Sequence, residues 1–165
     1  MLMPAREGKT DVLLRELELA VARSGMTVGV VESATGGLVS HLITNIPGCS
    51  QYYKGSVTSY SNQIKIGLVG VNGDTITRYG AVSEQVSREM AWGGRNILAV
   101  DICLADTGIA GPGGASPGKP VGLFYIGLAD KEGTYSRRYQ FDGNREEIKL
   151  AAAYAVIDWL REYCI

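Results

Sequence analysis

The sequence predicts an α/β fold, a three-layer α/β/α sandwich around a mixed, mostly parallel sheet, and three observations predict it. Short apolar, β-branched runs such as "MTVGVVE" and "VDICLAD" lack the polar alternation of a strand with one wet face, so they suit strands covered on both sides. Stripes of apolar residues at helical spacing stand between them. Two later runs, "VGLFYIGLAD" and "TYSRRYQF", flank Lys131-Glu132-Gly133 as a hairpin, which brings antiparallel pairing into the sheet. No repeat or linker interrupts the pattern, so residues 1–165 are expected to form one domain.

In chain order, Leu13, Leu14, Leu17, Ala20 and Val21 mark a first helix that Ser24-Gly25 stops. "MTVGVVE" is the first strand, and Leu38, Val39, Leu42 and Ile43 form the inner stripe of a helix ending near Pro47. "SVTSYSN" reads as the second strand. Ser83 caps a helix that turns Val86, Met90 and Ile97 inward, and "VDICLAD" is the third strand. The following "TGIAGPGGASPGKP" has the glycines and prolines of a loop. After the hairpin, Asn144 with Glu147 three residues on makes a capping box for a last helix carrying Ile148, Ala152, Ala155 and Trp159 inward.

Composition narrows the function. The 165 residues are 45% hydrophobic and 20% charged with a net charge of -1, so nothing global attracts nucleic acid or anionic lipid. No apolar run approaches the roughly 18 residues that span a bilayer. The opening "MLMPAREGKTDVLL" has charges where a signal peptide needs an apolar stretch. The expectation is a cytoplasmic protein with a small-molecule partner, no nucleic acid and no membrane, assembled as a homo-oligomer. Cys49, Cys103 and Cys164 are scattered and odd in number, which argues for reduced, structural cysteines and against a zinc site. Two segments imitate a phosphate loop. "GGASPGKP" has Pro120 where the magnesium-binding hydroxyl belongs and a strand following, and "EGKT" at residues 7–10 lacks the first glycine and a preceding strand.

The chemistry concentrates in "VVESATGGLVSHLI", residues 30–43, a strand, a turn and a helix. A helix that starts after a strand presents free N–H groups at the carboxyl end of the sheet, where α/β proteins bind ligands, and Gly36 and Gly37 permit close approach. Ser33 or Thr35 could cap that helix, which is the simpler reading, or Ser33 could be a nucleophile. A serine nucleophile needs a base. His41 is the only histidine, eight residues from Ser33, so a Ser-His-Asp triad is excluded. A lysine made basic by desolvation is the alternative, and "SYSNQIK" offers Tyr60 and Lys65, although a lysine is ordinarily solvated.

"ESATGG", "GSVTSYSNQIKIGLVGV", "YGAVSEQV", "TGIAGPGG", "KPVGLFYIGLA" and "FDGNRE" resemble, in order and spacing, the CinA C-terminal domain family, which includes stand-alone nicotinamide mononucleotide amidases. The resemblance spans about residues 10–160 and implies a hydrolase that converts nicotinamide mononucleotide to nicotinate mononucleotide and ammonia. It implies no metal and no cofactor. It makes Ser33 the nucleophile and Lys65 its base, with Tyr60, Thr107 and Arg145 completing the pocket. The amides from Thr35 through Gly36 to Gly37 would then face the reacting carbonyl. Arg145 at the start of the last helix could cradle phosphate or simply pair with Glu146 or Glu147. Asp106, directly before "TGIAGP", departs from the small or apolar residue expected there and must be paired or protonated if buried. Two other classes compete: a nucleotide-binding module in which Ser33 only caps, and a subunit that acts with a separate partner domain.

Overall fold

The computed structural model describes residues 8–165. The stretch at residues 1–7, which carries most of the expected absence of a signal peptide and the start of "EGKT", lies outside the described residues. The strands β1 (Val28–Glu32), β2 (Tyr53–Thr58), β3 (Ile102–Gly108), β4 (Leu123–Ala129) and β5 (Thr134–Gln140) form one sheet in the order β2-β1-β3-β4-β5. β1 lies parallel between β2 and β3, while β4 is antiparallel to both β3 and β5, so every strand except β4 points the same way.

Helices cover both faces. On one side α1 (Lys9–Ser24), α2 (Leu38–Thr44) and α6 (Arg145–Tyr163) close over Val28, Val30, Leu104 and Ile126 with Leu17, Ile43, Val156 and Ile157. On the other, α5 (Glu84–Leu98) packs Val86, Met90 and Ala91 against Val31, Cys103 and Ala105. Adjacent residues Val30 and Val31 are thus buried on opposite faces, which is why β1 shows no polar alternation. Two short helices, α3 (Asn62–Gly67) and α4 (Gly73–Tyr79), lie between β2 and α5, and Val69 and Val71 join the α5 core. The three cysteines are free, with Cys103 and Cys164 buried. Among the described residues no helix is long and apolar enough to cross a membrane.

The helix punctuation follows from local chemistry. Gly25 ends α1 in the left-handed conformation at φ 67. The Asn144 side chain accepts from the amides of Glu146 and Glu147, while Glu147 accepts from the Asn144 amide, the reciprocal capping box of α6. The second strand differs from the sequence reading: it starts earlier, at Tyr53, and "SYSN" leaves the sheet because Ser61 caps α3 through the Ile64 amide. Ile97 is 45% exposed, since the buried stripe of α5 runs through Val86, Met90 and Gly94 to Leu98. Ala155 is only partly buried. Thr107 and Gly108 belong to β3, not to the loop, and α4, capped by Asn72, had no apolar stripe to announce it.

The approach of α5 to the sheet depends on side chains that are missing. A Cβ on Gly127 would sit 2.1 Å from the Ser87 carbonyl oxygen, which is helix backbone and cannot swing aside. Gly127→Ala is therefore expected to lower stability by about 1–3 kcal/mol through overpacking, a fall of several degrees in melting temperature. A calorimetric melt checks it, and an unchanged midpoint would mean that α5 does not rest on β4 as described.

Candidate functional site at the carboxyl ends of the parallel strands

β1 ends in a carboxylate with no exposure to solvent. Glu32 accepts from the amides of Gly37 (2.9 Å), Val39 (3.0 Å) and Ser40 (2.8 Å), and so caps α2 from below. The capping expected of Ser33 or Thr35 is thus performed by Glu32. The N-terminus of α2 is consequently filled by the protein's own anion. A second buried carboxylate, Asp106 on β3, accepts from the amides of Ser33 (3.2 Å) and Thr35 (3.0 Å) on either side of Ala34. The Thr35 hydroxyl lies between the two acids, 2.8 Å from Glu32 Oε2 and 2.5 Å from Asp106 Oδ2. Burial pushes the Asp106 carboxyl up to about 6, with hydrogen bonds from Thr35 opposing it and Glu32 adding to it.

This turn presents Ser33 Oγ 2.8 Å from Lys65 Nζ. Lys65 is 2% exposed, far from the solvated lysine that its residue type suggests. Its nitrogen also donates to the carbonyl oxygens of Ser59 (2.6 Å) and Tyr60 (3.3 Å), where the chain turns from β2 into α3. Desolvation holds its pKa below the ordinary 10.5, and the Asp106 charge opposes that shift. The two carbonyls can only accept, so they take two N–H bonds. The third position on nitrogen faces Ser33 as an N–H in the ammonium and as a lone pair in the neutral amine. A neutral Lys65 is therefore aimed to accept the serine proton.

A cleft of about 250 Å³ opens above this pair, lined by Ser33, Ala34, Tyr60, Lys65, Thr107, Arg145 and the glycine-rich segment after β3. The structure thus brings Ser33, Lys65, Tyr60, Thr107 and Arg145 to one place. Tyr60 meets the lysine through its backbone carbonyl, while its exposed phenol accepts from Arg145 Nη2 at 3.1 Å. Arg145 Nη1 donates to the Gly111 carbonyl at 2.6 Å, and no carboxylate among the described residues pairs with it, so the ion pair with Glu146 or Glu147 is not made. Thr107 donates to the Ala81 carbonyl at 2.8 Å, which leaves its oxygen only an accepting role. Thr35, Gly36 and Gly37 do not line the cleft, because Thr35 is buried between the acids and the Thr35 and Gly37 amides are taken by carboxylates. Of the turn residues that line the cleft, Ala34 is the one whose amide neither acid claims.

Sequence reasoning missed Glu32 altogether, although an acid closing an apolar strand just before a helix was a legible signal. It also missed Ser59, which acts through its carbonyl and so leaves no residue-type signature. Lys119, in the discarded phosphate-loop imitation, ties the glycine-rich segment down by donating to the carbonyls of Tyr79 and Val82.

Fold and cleft define an α/β/α domain with a buried serine–lysine pair at the carboxyl ends of its parallel strands. Residues 11–164 match the CinA C-terminal domain, and the chain belongs to that family. A CinA-like protein of Syntrophomonas wolfei is 45% identical over 93% of this chain, and one of Geobacter metallireducens is 44% identical over 88%. The chain spans 37% and 36% of the length of those relatives. A solved competence/damage inducible protein from Agrobacterium tumefaciens superposes with a TM-score of 0.88 at 34% identity, covering 96% of this chain and 97% of its own. A CinA superfamily protein from Klebsiella pneumoniae gives 0.91 at 25% identity, covering 95% and 98%.

The buried lysine has a thermodynamic signature. Because its folded pKa is lowered, the unfolded chain binds more protons between that value and about 10.4. Stability contributed at this position therefore rises with pH through that window and is least below it. Lys65→Met removes the titration, so its stability relative to the parent should improve as pH falls from about 10. Urea unfolding at a series of pH values measures this; a difference independent of pH would mean that Lys65 is not desolvated.

Proposed function

We propose that the chain is an amidohydrolase that deamidates nicotinamide mononucleotide to nicotinate mononucleotide and ammonia, by a serine nucleophile with a lysine base. The 2.8 Å contact between Ser33 Oγ and a buried Lys65 Nζ is the observation that carries this reading. Neutral Lys65 takes the Ser33 proton as Oγ bonds to the carboxamide carbon, and the carbonyl oxygen becomes an oxyanion. The Ala34 amide is the donor of the turn left to receive it, and such donors contribute about 3 kcal/mol each in other hydrolases. The C–N bond then breaks with the proton from Lys65 passing to the departing ammonia. Water, deprotonated by the same lysine, hydrolyses the acyl-serine and releases the carboxylate and free Ser33. Arg145, which no carboxylate among the described residues pairs with, supports a nucleotide rather than a neutral amide as substrate, since a guanidinium at the rim of the cleft suits phosphate.

Ammonia release from nicotinamide mononucleotide by the purified chain is the direct assay, with loss in Ser33→Ala. The base assignment has its own test. Guanidinium stays protonated below about pH 12, so Lys65→Arg should be as inactive as Lys65→Met, and the parent rate should rise with pH through the lowered lysine pKa. A folded, active Lys65→Arg removes the general base.

Arg145→Ala should raise KM for the mononucleotide by at least about tenfold with kcat little changed, and erase discrimination against the nucleoside without phosphate. Equal losses on both substrates would move Arg145 away from the phosphate.

A further inference from the structure

The two acids beneath the turn are short of a proton. Thr35 Oγ1 stands at hydrogen-bond distance from both Glu32 Oε2 and Asp106 Oδ2, yet a hydroxyl has one hydrogen to give. Two O···O contacts need two protons, so one carboxyl must donate. Glu32 already accepts on both oxygens, from the amides of Gly37, Val39 and Ser40. Asp106 Oδ2 has only the 3.2 Å Ser33 amide besides the threonine, and it has room for a hydrogen.

We infer that Asp106 is the positioning residue of the Ser33–Lys65 pair and that the folded protein holds it as a neutral acid, donating to Thr35, which in turn donates to Glu32. The inference rests on the amidase reading for its kinetic consequences but not for the proton itself. The groups that face Asp106 agree with it. β1 supplies Glu32, α3 supplies Lys65, β4 places the apolar Ile126 opposite it, and from α6 Lys149 Nζ comes near the turn at Gly36. Burial raises its carboxyl to about 6, the direction that the proton count requires. A neutral Asp106 leaves the desolvation of Lys65 unopposed, whereas an ionised one pulls a proton back onto the lysine. One residue thereby sets both where Ser33 points and how basic its partner is.

Infrared spectroscopy of the parent tests the proton without any assay. Ordinary carboxyl groups are ionised by about pH 5.5, so the carbonyl band of a protonated acid surviving there, and missing in Asp106→Asn, is expected. Its absence from the parent overturns the inference even if every variant misfolds. In kinetics, a neutral Asp106 puts no charge beside Lys65, so Asp106→Asn, which can carry none, should leave the pH midpoint of the rising rate within about 0.3 unit of the parent's even where kcat falls. Asp106→Leu, which releases the turn, should lose at least about a hundredfold in kcat with KM nearly unchanged. A midpoint that falls in the Asn variant refutes the neutral role, since it shows a carboxylate charge holding the proton on Lys65. A parent that releases no ammonia but shows the band would refute the amidase reading alone.

Discussion

Two carboxyl groups that never meet solvent, those of Glu32 and Asp106, organise this site through the backbone. Burying an acid is costly unless its oxygens are satisfied, and here the satisfying donors are the amides of residues 33–40, together with one threonine hydroxyl. The path of the turn, the start of α2 and the direction of Ser33 are therefore fixed by the same five amide bonds and not by side-chain packing alone. The amide of Ala34 is left over because Asp106 spans it, holding the residues before and after.

The lysine is handled by a different economy. Histidine works as a base because its ordinary pKa is already near neutrality; lysine must be driven there by losing its water. The fold removes that water by seating Nζ under the β2–α3 turn, and replaces it with carbonyls that orient the nitrogen without compensating charge. A carboxylate in contact would have undone the effect. Asp106 is near enough to be felt, yet its hydrogen bonds go to the Ser33 turn.

Much of the fold could be read because its elements announce themselves by period and punctuation. β1 and β3 are apolar on both faces, α1 ends at a left-handed glycine and α6 begins with a capping box, all properties of a few neighbouring residues. The sequence reading ends β2 too late because "SYSN" has strand-like residues, of which Ser61 instead caps α3. In the site, Ser33 and Lys65, singled out by side-chain chemistry, and Thr107 and Arg145, implied by the family resemblance, converge on one cleft. Roles performed by backbone were illegible: the carbonyls of Ser59 and Tyr60, and the amides that Thr35 and Gly37 surrender to carboxylates. Residue type says nothing about which main-chain group is left free, because long-range partners decide it.

Those partners are far apart along the chain. Lys65 lies 32 residues from Ser33, Asp106 lies 73 from it, and Arg145 lies 85 from Tyr60. None of these contacts can form before β1, β2 and β3 are side by side. In a nascent or unfolded chain Lys65 is an ordinary hydrated ammonium and Ser33 an ordinary alcohol. The serine–lysine contact is written into the topology of the sheet rather than into any peptide segment, and it comes into being and is lost together with the native state.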